Sequence, residues 1–270
     1  MAANPQRPVC IVIGAGGFIG SAVVAEAQRR GFETTGITRQ NYDQHRGMSC
    51  DLLVNANGNS KKFLARENPP LDFDLSVRSV HASLHDFKAV MHVHLSTIDV
   101  YSDVKNPANN REDCVIETAK LSPYGFHKLL AEQLVRHFAP QWLVLRMGGF
   151  VGPGLRKNSI YDLLKGTPLR VHPDSAYQYL DSRFLAALAF ELLAKNCRNE
   201  IVNCCGDGLI TIREIAALIP GSKLPDAPAG APERYEANIE KLKALIAVPR
   251  TRDTVANFIA RVLAGQEALA

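Results

Sequence analysis

The sequence is short of the features that would assign it at a glance. It has no run of eighteen apolar residues, so no helix of membrane-spanning length is expected. Its six cysteines (Cys10, Cys50, Cys114, Cys197, Cys204 and Cys205) include no C-x-x-C and no ligand-like spacing. A zinc site and a disulfide framework are therefore not expected. Neither sign of charge dominates, because 31 basic against 27 acidic residues leave a net +4 that is scattered along the chain. That balance gives no nucleic-acid footprint, though it suits a small anionic ligand. Internal repeats and low-complexity tracts are absent. The segment Met1 to Pro8 is short and polar and lacks the apolar stretch of a signal peptide, so the cytosol is the expected compartment.

What is present is a globular chain with 46% apolar residues, in which strand-length apolar runs alternate with helix-period stretches. Val9 to Ile13 is a continuous apolar run between Pro8 and Gly14, as expected of a strand buried on both faces. Ile19, Val23 and Ala27 then recur every four residues up to Arg29-Arg30-Gly31, which reads as a helix stop. Further strands are expected at 34–38, 52–55, 90–96, 142–146 and 201–204. Helices are expected at 72–88, 124–138 and 212–219. The alternation predicts an α/β fold with a parallel sheet covered on both faces. A proline-rich link at 221–232 leads to two terminal helical segments, 235–247 and 253–264.

Gly14, Gly17 and Gly20 form G-x-x-G-x-x-G between the first strand and the first helix. Glycine there lets backbone approach a pyrophosphate, while the helix N-terminus offers unpaired N–H groups and partial positive charge. The expected second strand ends in Thr38-Arg39-Gln40, with no carboxylate to bind a ribose 2′-hydroxyl. Arg39 suits a 2′-phosphate, so NADP is expected ahead of NAD as cofactor. Two alternatives stay open: Arg39 stacks on adenine or points to solvent, or Asp43 reaches back to the ribose.

Tyr124 and Lys128 form Y-x-x-x-K after Ser122-Pro123, and positions i and i+4 share one helix face. A phenol titrating near ~10 needs ~4 kcal/mol of phenolate stabilisation to act near pH 7. A neighbouring ammonium and an oxidised nicotinamide both favour phenolate. The pairs His92/His94 and His81/His85 each share a face but lack a third ligand, so no metal is expected. Arg183, in Asp181-Ser182-Arg183, is a substrate-contact candidate with a surface salt bridge as the equal alternative.

Taken in order, the glycine pattern with Phe18-Ile19-Gly20, the segment Ser96-Thr97-Ile98-Asp99-Val100-Tyr101, the Ser-Pro-Tyr-Gly-x-x-Lys box and Leu145 to Gly154 resemble the extended short-chain dehydrogenase/reductases. Within these the chain is similar to the NAD(P)-dependent epimerase/dehydratase group. The similarity continues through Tyr179-Leu180-Asp181 and Asn203 to Gly208. It implies a doubly wound (Rossmann) sheet, with residues 1–150 mainly dinucleotide-binding. Residues 151–270 would then mix substrate-binding segments, a returning core strand at about 180–205 and C-terminal helices. By the same resemblance Tyr124 is the general acid/base, and Lys128 binds the nicotinamide ribose and lowers the tyrosine pKa. Thr97 would hydrogen-bond the reacting oxygen. Gly14, Gly17, Phe18, Ile19 and Gly20 line the cofactor, and Asn55, Ala56 and Asn57 pass beside its ribose. Asn158, with Arg156 and Lys157, would meet a substrate diphosphate.

Departures from the group's pattern narrow the reading. The stretch from Arg39 to Asp51 is too short for the usual helix and strand, so a reduced adenine wall is expected. Ser76 stands where an asparagine is usual, and Met147 where a proline is usual. Ile98 occupies the position of the dehydratase acid, which argues against a 4,6-dehydratase and leaves Asp99 as base, substrate contact or structural carboxylate. The expected activity is hydride transfer on a nucleotide-linked sugar, by an epimerase or keto-reductase. A reductase of a smaller carbonyl compound is the alternative, and a non-catalytic NADP-binding regulator is the alternative of another class. The resemblance further implies a homodimer through helices 72–88 and 124–138.

Overall fold

The computed structural model describes residues 7–225 and 230–270. Most of the N-terminal segment 1–8 and positions 226–229 of the proline-rich link therefore lie outside the described residues. The expected alternation is found. β1 (Val9–Ile13), α1 (Phe18–Arg29), β2 (Glu33–Ile37) and β3 (Ser49–Asn55) open the chain. α2 (Lys62–Glu67), α3 (Pro69–Phe73), one π-helical turn (Asp74–Arg78) and α4 (Ser79–Asp86) lead into β4 (Lys88–Thr97). α5 (Pro123–Phe138) and β5 (Trp142–Met147) follow.

With β9 (Glu200–Cys204), these strands form a six-stranded parallel sheet in the order β2-β1-β3-β4-β5-β9. The central strands carry Ile11, Val12, Leu53, Val54 and Val93 at or near zero exposure, which is why they read as unbroken apolar runs. As the short 39–51 stretch predicts, only a 3₁₀ turn (Asp43–His45) joins β2 to β3. β2 is left as the outermost strand. In place of a helix, the Tyr42 ring packs edge-on to Phe87 at 5.4 Å and donates its hydroxyl to Asp86 at 2.9 Å.

The chain divides into two compact units. The first comprises residues up to Ser102, Ile116–Arg146 and Ala186–Val202; the second comprises Asp103–Val115, Met147–Leu185 and Asn203–Ala270. The second unit contains β6 (Gly149–Val151) beside β8 (Tyr179–Asp181), and α6 (Ser159–Lys165). It also contains β7 (Ala176–Tyr177) between β10 (Ile210–Thr211) and β11 (Arg234–Tyr235). α7 (Ser182–Ala194) begins in it and ends in the first unit. Its remaining α-helices among the described residues are α8 (Ile212–Ala217), α9 (Glu240–Leu245) and α10 (Thr251–Leu263). The expected helix at 235–247 is thus only half helical. Tyr235 instead pairs with β7 and stacks on Tyr177 at 5.6 Å, a tertiary contact that overrides local helix preference. Among the described residues no helix is long and apolar enough to cross a membrane.

One buried ion pair braces the first unit. Arg146 on β5 meets Glu132 on α5 at 2.7 Å with both side chains almost fully buried, and Ser96 on β4 donates to the same carboxylate. The guanidinium also lies 4.7 Å from the Tyr101 ring centre. Removing one partner of such a pair strands a charge, whereas replacing both with apolar groups is far cheaper. Glu132→Ala is expected to cost about 3–5 kcal/mol in urea unfolding, and Glu132→Leu with Arg146→Met to recover most of that loss. A single variant as stable as the parent would refute the brace.

Candidate active site

A cleft of about 650 Å³ opens at the carboxyl ends of β1, β2 and β3, where doubly wound sheets hold their ligands. Gly14, Gly16 and Gly17 line it, with Thr38, Arg39, Tyr42 and Asp43 at the β2 end and Ala56, Asn57 and Gly58 at the β3 end. Gly14 has φ +84°, and a Cβ on it would lie 2.8 Å from the Ala56 carbonyl oxygen. A Cβ on Gly20 would lie 2.1 Å from the Gly14 carbonyl oxygen, so its role is to seat α1 against the loop. No side chain caps α1 at Gly17. The first-turn amides, including those of Phe18 and Ile19, therefore retain their N–H groups for an anion. This bare backbone cradle and the size of the cleft fit a dinucleotide. The residues to hold its pyrophosphate are the glycine loop and the α1 N-terminus.

Arg39 is exposed on the cleft wall and, among the described residues, makes no ion pair. Asp43, the alternative ribose ligand, is engaged with Arg46 at 2.9 Å. Asn55 is buried, and its amide is spent inside the protein: it donates to Ser83 and accepts from the Asn57 amide. Ala56 and Asn57 are on the cleft wall, whereas Asn55 shapes the loop that carries them.

α5 begins sharply. The Ser122 hydroxyl accepts from the Gly125 amide at 3.1 Å, and Pro123 occupies the first helical position, where its missing N–H costs nothing. A Cβ on Gly125 would fall 2.1 Å from the Asp99 carbonyl oxygen, so this glycine lets the helix start press onto the turn after β4. Tyr124 and Lys128 are both buried on α5. The Lys128 ammonium lies 2.8 Å from where a Cβ on Gly58 would be, and Gly58 is a wall residue of the cleft. Burial pulls the Lys128 pKa down to about 8 against the raising effect of Asp72, Glu132 and Asp99.

For Tyr124 the balance differs from what the motif predicts. Burial, followed by the charges of Asp99 and Asp72, pushes its phenol well above the usual range. Without a bound cation nearby, Tyr124 is a neutral proton donor. Thr97 donates to Asp99 Oδ2 at 2.9 Å, and Asp99 Oδ1 accepts from Lys62 Nζ at 2.6 Å. Ile98 beside them is buried.

Of the other candidates, Asn158 caps α6. Its side-chain oxygen accepts from the Tyr161 amide and its NH2 donates to the Phe150 carbonyl. Arg183 makes paired bonds to Asp181 at 2.6 and 2.9 Å and meets Glu267 at 3.1 Å. Arg156, Lys157, Asn158 and Arg183 lie in the second unit, the remaining candidates in the first. Among the described residues no cluster of three or more His, Cys, Asp or Glu could hold a metal.

Residues that the sequence did not mark also gather here. Asp72, fully buried, accepts from His127 Nδ1 at 2.7 Å and from Asn59 Nδ2 at 2.7 Å, and Lys62 caps the Asp99 carboxylate. Asp72 and His127 are 55 positions apart, and no local pattern links them.

No curated protein sequence matches this chain significantly. Among solved structures, UDP-galactose 4-epimerase is 20% identical with a TM-score of 0.76, over 95% of this chain and 99% of that one. dTDP-4-dehydrorhamnose reductase from Bacillus anthracis, in complex with NADP, is 16% identical with a TM-score of 0.77, over 96% and 100% of the two chains. RMD from Pseudomonas aeruginosa, complexed with NADPH, is 18% identical with a TM-score of 0.76, over 97% and 98%. At these identities the likeness is one of fold. The sequence profile of the NAD dependent epimerase/dehydratase family matches residues 10–92 and 50–164, more than half of the chain. With the glycine cradle and the Tyr-Lys helix in one unit, this chain belongs to that family of NAD(P)-dependent enzymes.

Proposed function

We propose that this protein is an NADP-preferring oxidoreductase that acts on a nucleotide-linked sugar as an epimerase or keto-reductase. The observation that carries this is the approach of the Lys128 ammonium to Gly58, which brings the Tyr124 helix to the wall of the glycine-loop cleft. When bound, the nicotinamide supplies or takes the hydride. Tyr124, held neutral by burial and two carboxylates, donates its proton to the oxygen of a carbonyl being reduced and recovers it in the oxidation. Lys128 steadies the resulting phenolate and binds ribose hydroxyls. Thr97, whose one hydroxyl proton goes to Asp99 in the free protein, would turn that proton to the reacting oxygen when substrate binds.

A buried apolar Ile98 offers no proton to a leaving hydroxyl, which favours these reactions over sugar dehydration. The nucleotide-sugar class is supported by neighbours in fold, one solved with UDP-glucose and NAD and another with NAD and UDP. The reading includes a cytosolic homodimer joined through α4 and α5. Exposed Phe73, Phe126 and Phe138 on and beside α5 support the contact, and sedimentation measures it.

Two outcomes test the proposal. Tyr124→Phe is expected to lower turnover by about 10²–10⁴-fold with dinucleotide affinity kept, assayed by mass on a nucleotide-sugar panel with both coenzymes. Full turnover in that variant would remove the phenol from the reaction. Arg39→Ala is expected to weaken NADPH binding about tenfold, or ~1.4 kcal/mol, and to leave NADH binding nearly unchanged in nicotinamide fluorescence titrations. Tighter NADH binding that is indifferent to the substitution would overturn the NADP preference.

A further inference from the structure

Asp72 bears on Tyr124 only through its charge, yet it is one of the most deeply buried charged groups among the described residues. Its Oδ1 accepts from Asn59 Nδ2 at 2.7 Å and from the Ser76 hydroxyl at 3.3 Å, and its Oδ2 accepts from His127 Nδ1 at 2.7 Å. The Asn59 amide donates to the same Ser76 hydroxyl at 3.3 Å. One carboxylate thus fastens four pieces of chain: α3, the π-helical turn, the loop after β3, and α5. Two of its anchors are sequence neighbours of the contact that matters. Asn59 follows Gly58 and His127 precedes Lys128, so the carboxylate clamps both sides of the Gly58–Lys128 approach.

We propose that Asp72, held by His127 and Asn59, is the positioning residue for Lys128, fixing its ammonium at the Gly58 wall and keeping it charged for the dinucleotide ribose. This rests on the assignment of Lys128 to the ribose and deepens it. The charged and titratable groups that act on Lys128 come from each element around it: Asp72 from α3, Glu132 from α5, Asp99 from the turn after β4, and His94 from β4. Glu132 is already neutralised by Arg146 and Asp99 by Lys62. Burial keeps the imidazole of His94 uncharged near neutral pH, with a pKa lowered to about 3. Asp72 is the carboxylate near Lys128 that is not paired with an Arg or Lys, and it has the largest single effect in sustaining the ammonium.

The sign follows directly. The ammonium is present below about pH 8 and lost above it, so ribose binding weakens as pH rises through that value. Removing the Asp72 charge moves the weakening to lower pH. The experiment is a titration of NADPH and NADH by nicotinamide fluorescence from pH 6 to 10, with unfolding curves run beside it. Asp72→Asn is expected to shift the alkaline midpoint down by about one pH unit, a tenfold change in the Lys128 proton equilibrium. His127→Phe keeps the Asp72 charge but drops its anchor. It is expected to weaken binding about fivefold at every pH with the midpoint retained, and His127→Asn, which restores an N–H donor, to recover the affinity. A folded Asp72→Asn protein with the parent midpoint overturns the proposal, as does parental affinity in His127→Phe. Lys128→Met is expected to abolish the midpoint. If the midpoint persists there, the ribose assignment itself is wrong and the Asp72 proposal falls with it, a result separate from failure of the Asp72 variants alone.

Discussion

The site is built on backbone meeting backbone with nothing between. A Cβ on Gly20 would strike the Gly14 carbonyl, one on Gly14 the Ala56 carbonyl, and one on Gly125 the Asp99 carbonyl. These contacts set the depth of the cleft floor, the seat of α1 and the angle at which α5 leaves its turn. A single methyl at any of them forces main-chain movement, because carbonyl groups cannot rotate away as a side chain can. The Tyr and Lys side chains inherit their positions from this frame, so the glycines fix where those two side chains stand.

Electrostatics refines what the frame provides. The same burial that lowers the Lys128 pKa raises that of Tyr124, and the carboxylates that sustain the ammonium oppose the phenolate. A buried amine, a phenol and two acids in one unit are therefore a compromise, with each acid helping one partner and hindering the other. A nicotinamide cation held beside the phenol would shift this balance towards the phenolate, and the tuning would then be shared between protein and cofactor.

Much of this was legible from the chain. β1, α1 and the glycine loop between them follow from an apolar run, a four-residue period and a glycine spacing, all local signals. The Tyr-Lys helix was legible for the same reason, with Ser122 and Pro123 marking its start. What could not be read depends on distant partners. One exception is local: α3 begins at Pro69 because Asn68 caps it, a start signal lying ahead of the apolar repeat that announced a helix at 72. α7 is apolar on most sides and has little period to display. Asp72 is an unremarkable acid until folding delivers His127. Asn55 and Asn158 have the right residue type for ligand contact, but their amides are consumed by Ser83 and by the α6 cap. The direction of the Tyr124 shift turns on the Asp72 and Asp99 charges, which the spacing of Y-x-x-x-K does not encode.

The abbreviated passage from β2 to β3 leaves one aromatic ring, Tyr42, to shelter the cluster of Ile11, Ile13, Ile37, Leu53 and Phe87 at the sheet margin. That ring is also a wall of the cleft. A molecule resting there supplies cover that the polypeptide economised on. Occupancy and conformational stability then become linked by mass action, so a ligand held at that wall would raise the stability of the sheet margin with its concentration.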